Sequence, residues 1–326
     1  MSYRMMILAL GAGVAMFSAG CDDGGSGGAG GEGGHAGHGG DAGHGGSGGA
    51  GGDGGTGGQG GQGGSGGSGA GGPIAVNVTF EGRVGAEAFD CDKLFTGVGT
   101  AASEVKITDF RLYVHDVELR AKDGTMVPVE LEQDGVWQYE NLALIDFETG
   151  SGNCANGTAE VHPTLSGTAP AGEYDGISFK LGVPFELNHA DVATAPSPLN
   201  LSALFWNWNG GYKFVRADSL ATGAAMAFNL HLGSTECQDD GAGGVSSCAK
   251  PNRPLIELTG FDPLTKPILV DYAAAVSGSD VSKNEGGAPG CMSGATDPEC
   301  AAIFDRLGIE ITTGQPKAGQ TFFRTE

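Results

Sequence analysis

The sequence predicts an all-β fold for residues 74–326: an antiparallel β-sandwich with long loops, one or two short helices and disulfides. Three observations predict it. Apolar residues alternate with polar ones in short runs, turn-rich segments separate the runs, and helical periodicity is scarce. The first run sets Val76, Val78 and Phe80 against Asn77 and Thr79, the period of a strand with one buried face. In the next, Phe110, Leu112 and Val114 keep one parity while Val117 and Leu119 take the other, which places a bulge near His115 and Asp116. Further strands are expected at Met126 to Leu131, Val136 to Phe147, Ile177 to Val183, Ala225 to Leu232, Leu255 to Leu258, Ile268 to Tyr272 and Ile309 to Thr312. One short helix is expected from Asp297 to Leu307, where Ile303, Phe304 and Leu307 share a face. The stretch Leu199 to Trp208 reads equally as a helix or an irregular strand.

Ahead of this domain the chain carries an export signal. Arg4 followed by an apolar run from Met5 to Phe17 has the layout of a signal peptide, residues 1–20. The run is shorter than the roughly 18 to 20 apolar residues that cross a bilayer. Ser18-Ala19-Gly20-Cys21 resembles a bacterial lipobox, with Ser18 where an aliphatic residue is usual, so Cys21 is the expected lipidation site. Residues 21–73 then hold no aromatic or large aliphatic side chain. Such a tract cannot offset the roughly 1–2 kcal/mol per residue of backbone entropy that ordering demands, and it reads as a flexible Gly-rich tether. The expected location is the periplasm or the outer-membrane surface, on a membrane through the lipid anchor only.

The formal charge of −22 makes nucleic acid an unsuitable partner. Of seven cysteines, six remain once Cys21 is set aside, and an even number in an exported chain argues for disulfides. Cys237 with Cys248 and Cys291 with Cys300 close short loops, which leaves Cys91 with Cys154. This is the simplest of the 15 connectivities that six cysteines allow. The absence of a Cys-x-x-Cys pair weighs against zinc or thiol-redox chemistry.

Four histidines fall in the folded region: His115, His162, His189 and His231. His231 alternates against Met226, Phe228, Leu230 and Leu232 and so leaves the opposite side of its strand. Phe205-Trp206-Asn207-Trp208-Asn209-Gly210-Gly211-Tyr212-Lys213-Phe214 concentrates aromatic side chains beside a double glycine. Core filling and a carbohydrate-stacking platform both explain such density. No nucleophile can be paired with a base, so the chain is not expected to be an enzyme.

Taken in order, several of these segments resemble the MbnP-like family, the metallo-mystery-pair four-Cys proteins. They are Phe110-Arg111-Leu112-Tyr113-Val114-His115-Asp116-Val117, Leu144-Ile145-Asp146-Phe147-Glu148, Leu181-Gly182-Val183-Pro184-Phe185 with Asn188-His189, Leu199-Asn200 leading to Phe205-Trp206-Asn207-Trp208, Gly211-Tyr212-Lys213-Phe214, and His231-Leu232-Gly233-Ser234. The resemblance implies a copper-binding protein whose partner is a di-haem cytochrome c peroxidase relative of the MauG type. It also implies that this partner oxidises a tryptophan to kynurenine. Carried onto this sequence, His189, His231 and His115 become the expected copper ligands, and Trp206 and Trp208 the tryptophans open to oxidation, with Trp137 a weaker alternative. The chemistry is compatible, since copper binds nitrogen ligands more tightly than the other divalent first-row metals. The competing function is a surface adhesion or glycan-binding β module, which predicts metal-independent binding.

Overall fold

The computed structural model describes residues 72–155 and 157–326. The expected signal peptide, the expected lipidation site Cys21 and nearly all of the expected tether lie outside the described residues. Two sheets form a sandwich. The smaller orders Phe323–Arg324, Ile268–Asp271, Ile74–Val84, Thr164–Ala169 and Glu130–Leu131. The larger orders Leu255–Thr259, Tyr174–Leu181, Ser103–Ala121, Val215–Ala221, Phe228–Leu232 and Gly290–Cys291. Most pairings are antiparallel, and two are parallel: Ile74–Val84 with Ile268–Asp271, and Phe228–Leu232 with Gly290–Cys291.

Alternation explains the inner faces. Ile74–Val84 buries Val76, Val78 and Phe80 while Asn77 and Thr79 stay exposed. Between the sheets Phe80 meets Phe179 edge-on at 5.7 Å and Phe179 meets Phe323 at 5.1 Å. The parity switch in the long strand Ser103–Ala121 is a bulge. His115 pairs with Lys180 and Glu118 with Ser178, so the long strand carries one extra residue, and Asp116 sits at φ 52°.

Other expectations are modified. The run Met126 to Leu131 divides, Met126–Pro128 joining the large sheet and Glu130–Leu131 the small one. Val136 to Phe147 is a tight hairpin of Gln138–Tyr139 against Leu142–Asp146 that turns at Glu140, φ 53°. The C-terminal helix spans Cys300–Leu307, and the stretch after Pro198 is a single 3-10 turn, Ser202–Leu204, leading into the strand Phe205–Asn207. Ile268–Asp271 ends in a one-turn helix, Tyr272–Ala275, and another single turn spans Phe185–Asn188. All three disulfides follow the simplest pairing: Cys91–Cys154, Cys237–Cys248 and Cys291–Cys300.

The outer face of the large sheet departs furthest from the sequence pattern. Asp109, Arg111, Tyr113 and His115 point away from the core side of the long strand, yet each is at most 3% exposed. The segment from Pro184 to Phe214 covers part of this face: Tyr113 Oη donates to Pro198 O at 2.9 Å, and its ring meets Tyr212 edge-on. The sandwich therefore has a second buried layer, partly charged, lying under a loop.

Candidate metal centre

His231 stands on that outer face. In register, Arg111 lies beside Arg216 and Arg216 beside His231, so the three form one row across three strands. Buried carboxylates link the row: Arg111 and Arg216 both pair with Asp109, and Arg216 Nε donates to Asp218 Oδ2 at 2.9 Å. His231 Nε2 lies 2.7 Å from Asp218 Oδ1, close enough for an ion pair but not aligned as a hydrogen bond, and both ring nitrogens are buried without a hydrogen-bond partner. Burial pushes the Asp218 carboxyl up, but His231 and Arg216 outweigh it, and the group ends below the usual carboxylate range.

Two residues beyond His231 on the same face is Gly233. A Cβ there would fall 2.4 Å from Trp206 Cζ3. Only glycine lets the indole lie on the strand. The Trp206 ring thus covers the position next to His231 on that face, that of Gly233, whose Cα is roughly 7 Å from that of His231. It borders a cleft of about 380 Å³ with Ser234, Glu236, Cys237 and Met292.

His189 reaches the same aromatic segment from the covering loop. Its ring follows the Phe185–Asn188 turn and meets Phe185 edge-on. Nδ1 lies 3.0 Å from Trp208 O, and a carbonyl only accepts, so Nδ1 carries the proton. Nε2 therefore holds the lone pair. Asn188 fixes this assignment independently. Its Oδ1 accepts from Tyr212 N at 3.1 Å, which leaves Nδ2 to donate to His189 Nε2 at 3.2 Å. Gly211, at φ 75°, permits the approach, because a Cβ would stand 2.4 Å from Asn188 Nδ2. Burial holds His189 below the ordinary imidazole range, opposed by the Trp208 bond, so the ring is neutral at neutral pH.

His115 is placed elsewhere. It lies two side-chain positions along the long strand from Arg111 and two strands from His231 in register. At about 3.3 Å per residue and 4.8 Å per strand, the Cα atoms of His115 and His231 stand roughly 16 Å apart. That span is too long for both rings to reach one ion at metal–nitrogen distances of about 2 Å. His115 borders a separate cleft with Phe185, Lys180 and Arg253, and burial drives its ring down to about 4. The expected three-histidine set therefore does not assemble. His162 is stacked on Trp137 at 5.0 Å. Among the described residues, the one group of three ligand-type side chains within 4.8 Å of one another is His189 with Cys237 and Cys248.

Sequence reasoning missed Asn188 and Asp218 as the partners that orient the two histidines. A faint signal existed: Asp109-Phe110-Arg111 and Arg216-Ala217-Asp218 place opposite charges two apart on otherwise apolar strands.

The residues do fit a copper-type cation. His189 offers a lone pair on Nε2, and His231 has a buried, unpartnered Nδ1. Neutral imidazole nitrogens suit both oxidation states of that metal.

The sequence model of the MbnP family matches residues 73–293. The solved structure of MbnP from Methylosinus trichosporium is similar at a TM-score of 0.70 and 29% identity, covering 78% of this chain and 98% of that one. No curated protein sequence matches. The fold continues past the matched segment, since Cys291–Cys300 bridges its end and the buried Phe323 lies in the strand that pairs with Ile268–Asp271.

Proposed function

The chain belongs to the MbnP family, which is associated with methanobactin and copper systems, and from that premise we propose that it is an exported, lipid-anchored copper-binding protein rather than an enzyme. In this reading His189 and His231 hold copper, and a MauG-like di-haem partner oxidises one tryptophan of Trp206-Asn207-Trp208 to kynurenine. The observation that carries it is that the two histidines, 42 residues apart, are both tied to this segment, His189 directly and His231 through Gly233. His189 bonds the Trp208 carbonyl, and His231 shares a strand face with the glycine under Trp206. Copper supplies a cation with high affinity for imidazole nitrogen.

The chain's own part is to hold the two rings. Trp208 O holds the Nδ1–H of His189 and Asp218 stands behind His231 Nε2, an arrangement that orients metal-ligating histidines generally, and copper at His189 Nε2 would take the place of the Asn188 donor. Trp208, 46% exposed, offers a surface from which an external haem enzyme draws electrons. A stacking platform for glycans is less well supported. Tyr212 and Phe214 are fully buried and Trp206 packs on Gly233, so only Trp208 in this segment presents an exposed ring.

Copper stoichiometry on disulfide-intact protein tests the reading. The parent binds about one copper per domain, and changing His189 and His231 together to Ala abolishes it; unchanged stoichiometry rejects the site. After co-expression with the haem partner, the peptide holding Trp206 and Trp208 exchanges one carbon for one oxygen by mass.

A further inference from the structure

The strands Thr235–Asp239 and Val245–Lys250 form a hairpin that pairs with neither main sheet. Cys237 stands opposite Cys248 across it, and the two are bonded. The other four disulfide cysteines are at most 4% exposed, whereas Cys237 and Cys248 are both partly exposed. A soluble reductant therefore meets this disulfide first. His189 Nε2 lies 3.6 Å from Cys248 Sγ, and the nitrogen and both sulfurs lie within 4.8 Å of one another. The Trp208 bond leaves the lone pair on that nitrogen, where Asn188 Nδ2 donates to it, and a cation bound there displaces that donor. A disulfide sulfur has no proton to offer it.

We propose that reduction of Cys237–Cys248 by an exported dithiol protein converts this group into a second metal site, one imidazole and two thiolates, for a thiophilic cation such as cuprous copper or zinc. Two electrons and two protons pass from the dithiol to the disulfide. The S–S bond breaks, the donor closes its own disulfide, and the two thiol protons leave when the cation binds. Thiolates select cuprous copper and zinc over harder ions. Metal–sulfur bonds of about 2.3 Å require the sulfurs to part to about 4 Å, and a two-stranded hairpin free of the sheets has room for this. This site shares His189 with the copper site proposed above but needs neither His231 nor a modified tryptophan.

The test uses the full chain, reduced with dithiothreitol until two thiols per chain are alkylatable, mapped to Cys237 and Cys248, and then desalted without oxygen. Cobalt(II) is the probe because thiolate ligation gives it an intense near-ultraviolet charge-transfer band. The reduced chain takes up one cobalt with this band, and the oxidised chain shows none. Cys237→Ser with Cys248→Ser abolishes the band, and His189→Ala weakens binding by at least about tenfold. His231→Ala leaves the band intact while removing copper from the oxidised chain, so the two sites fail separately. A reduced parent with both thiols free and no thiolate–cobalt band overturns the proposal, as does parental cobalt affinity in His189→Ala.

Discussion

Replacing Asn188 with alanine removes the side chain that aims His189, and its consequences can be worked from three atoms. Asn188 is fully buried, with Oδ1 on Tyr212 N and Nδ2 on His189 Nε2. Tyr212 is also fully buried, so its orphaned N–H costs about 1–3 kcal/mol. The bond to the partly exposed His189 contributes about 0.5–1.5 kcal/mol more. The expected loss of about 2–4 kcal/mol lowers the melting temperature of a domain this size by roughly 5–15 °C. Thermal unfolding of disulfide-intact protein reads it. Copper at Nε2 has to displace the Asn188 donor, so removing that donor raises copper affinity, in competition with a chromophoric chelator, by up to about tenfold, the equivalent of the roughly 0.5–1.5 kcal/mol in that bond. Asn188→Asp separates the two effects, because a carboxylate still accepts from Tyr212 N but cannot donate to Nε2. That variant regains most of the stability and keeps the gain in affinity. An alanine variant melting within about 1 °C of the parent refutes the assigned hydrogen bonds, and copper affinity below the parent's in both variants refutes the competition at Nε2.

The buried carboxyl of Asp146 is pushed up to about 8, by burial first and then by Glu148, against the pull of Arg111. Between its unfolded value near 3.8 and about 8 the folded state holds the extra proton, so stability falls as pH rises. His115, driven down to about 4, works oppositely but only below its unfolded value of 6.5. Stability by denaturant titration therefore declines from pH 6.5 to 8 by up to about 1.4 kcal/mol per unit. Asp146→Asn flattens that slope, and an equally steep variant sinks the assignment. For the disulfides, removing Cys91–Cys154, which spans 63 residues, costs about 4 kcal/mol by loop entropy, against about 3 kcal/mol for Cys237–Cys248, which spans 11. Urea midpoints of the two double-alanine variants in the reverse order contradict this.

Much of the sandwich was legible because a strand with one wet face writes its burial as alternation. Val76, Val78 and Phe80 were readable on that ground, and so was the bulge at Asp116, where the parity of the long strand slips. The disulfide pairing followed from loop length alone. What stayed illegible depends on contacts between distant segments. Val136 to Phe147 has polar Glu140 and Asn141 at its centre, but with neither glycine nor proline there the run reads as one continuous strand, and the turn at Glu140 goes unmarked. Asn188 and Gly211 lie 23 residues apart, and only the folded loop brings the amide against the glycine. Of the expected ligands, His189 bonds the Trp208 carbonyl, and His231 shares a strand face with the glycine under Trp206. His115 lies apart from both, because a sequence pattern does not carry the distance along a strand.

The outer face of the large sheet shows why a purely energetic account of this domain is incomplete. Asp109, Arg111, Arg216 and Asp218 sit where alternation assigns solvent, yet three of them are buried almost fully and Arg216 mostly. Buried ion pairs of this kind stabilise little, since desolvation consumes most of the attraction, and apolar side chains of equal volume would serve stability as well. Their geometry is what an apolar layer could not supply. Arg216 is held between Asp109 and Asp218, which fixes the Asp218 carboxylate, and that carboxylate stands 2.7 Å from His231 Nε2. The opposite ring nitrogen, Nδ1, is buried and has no partner. The two histidines are thus placed by different means, His189 by a carbonyl and an amide, His231 against a carboxylate anchored in a charged row. The buried charges are accounted for by that alignment rather than by the stability they add.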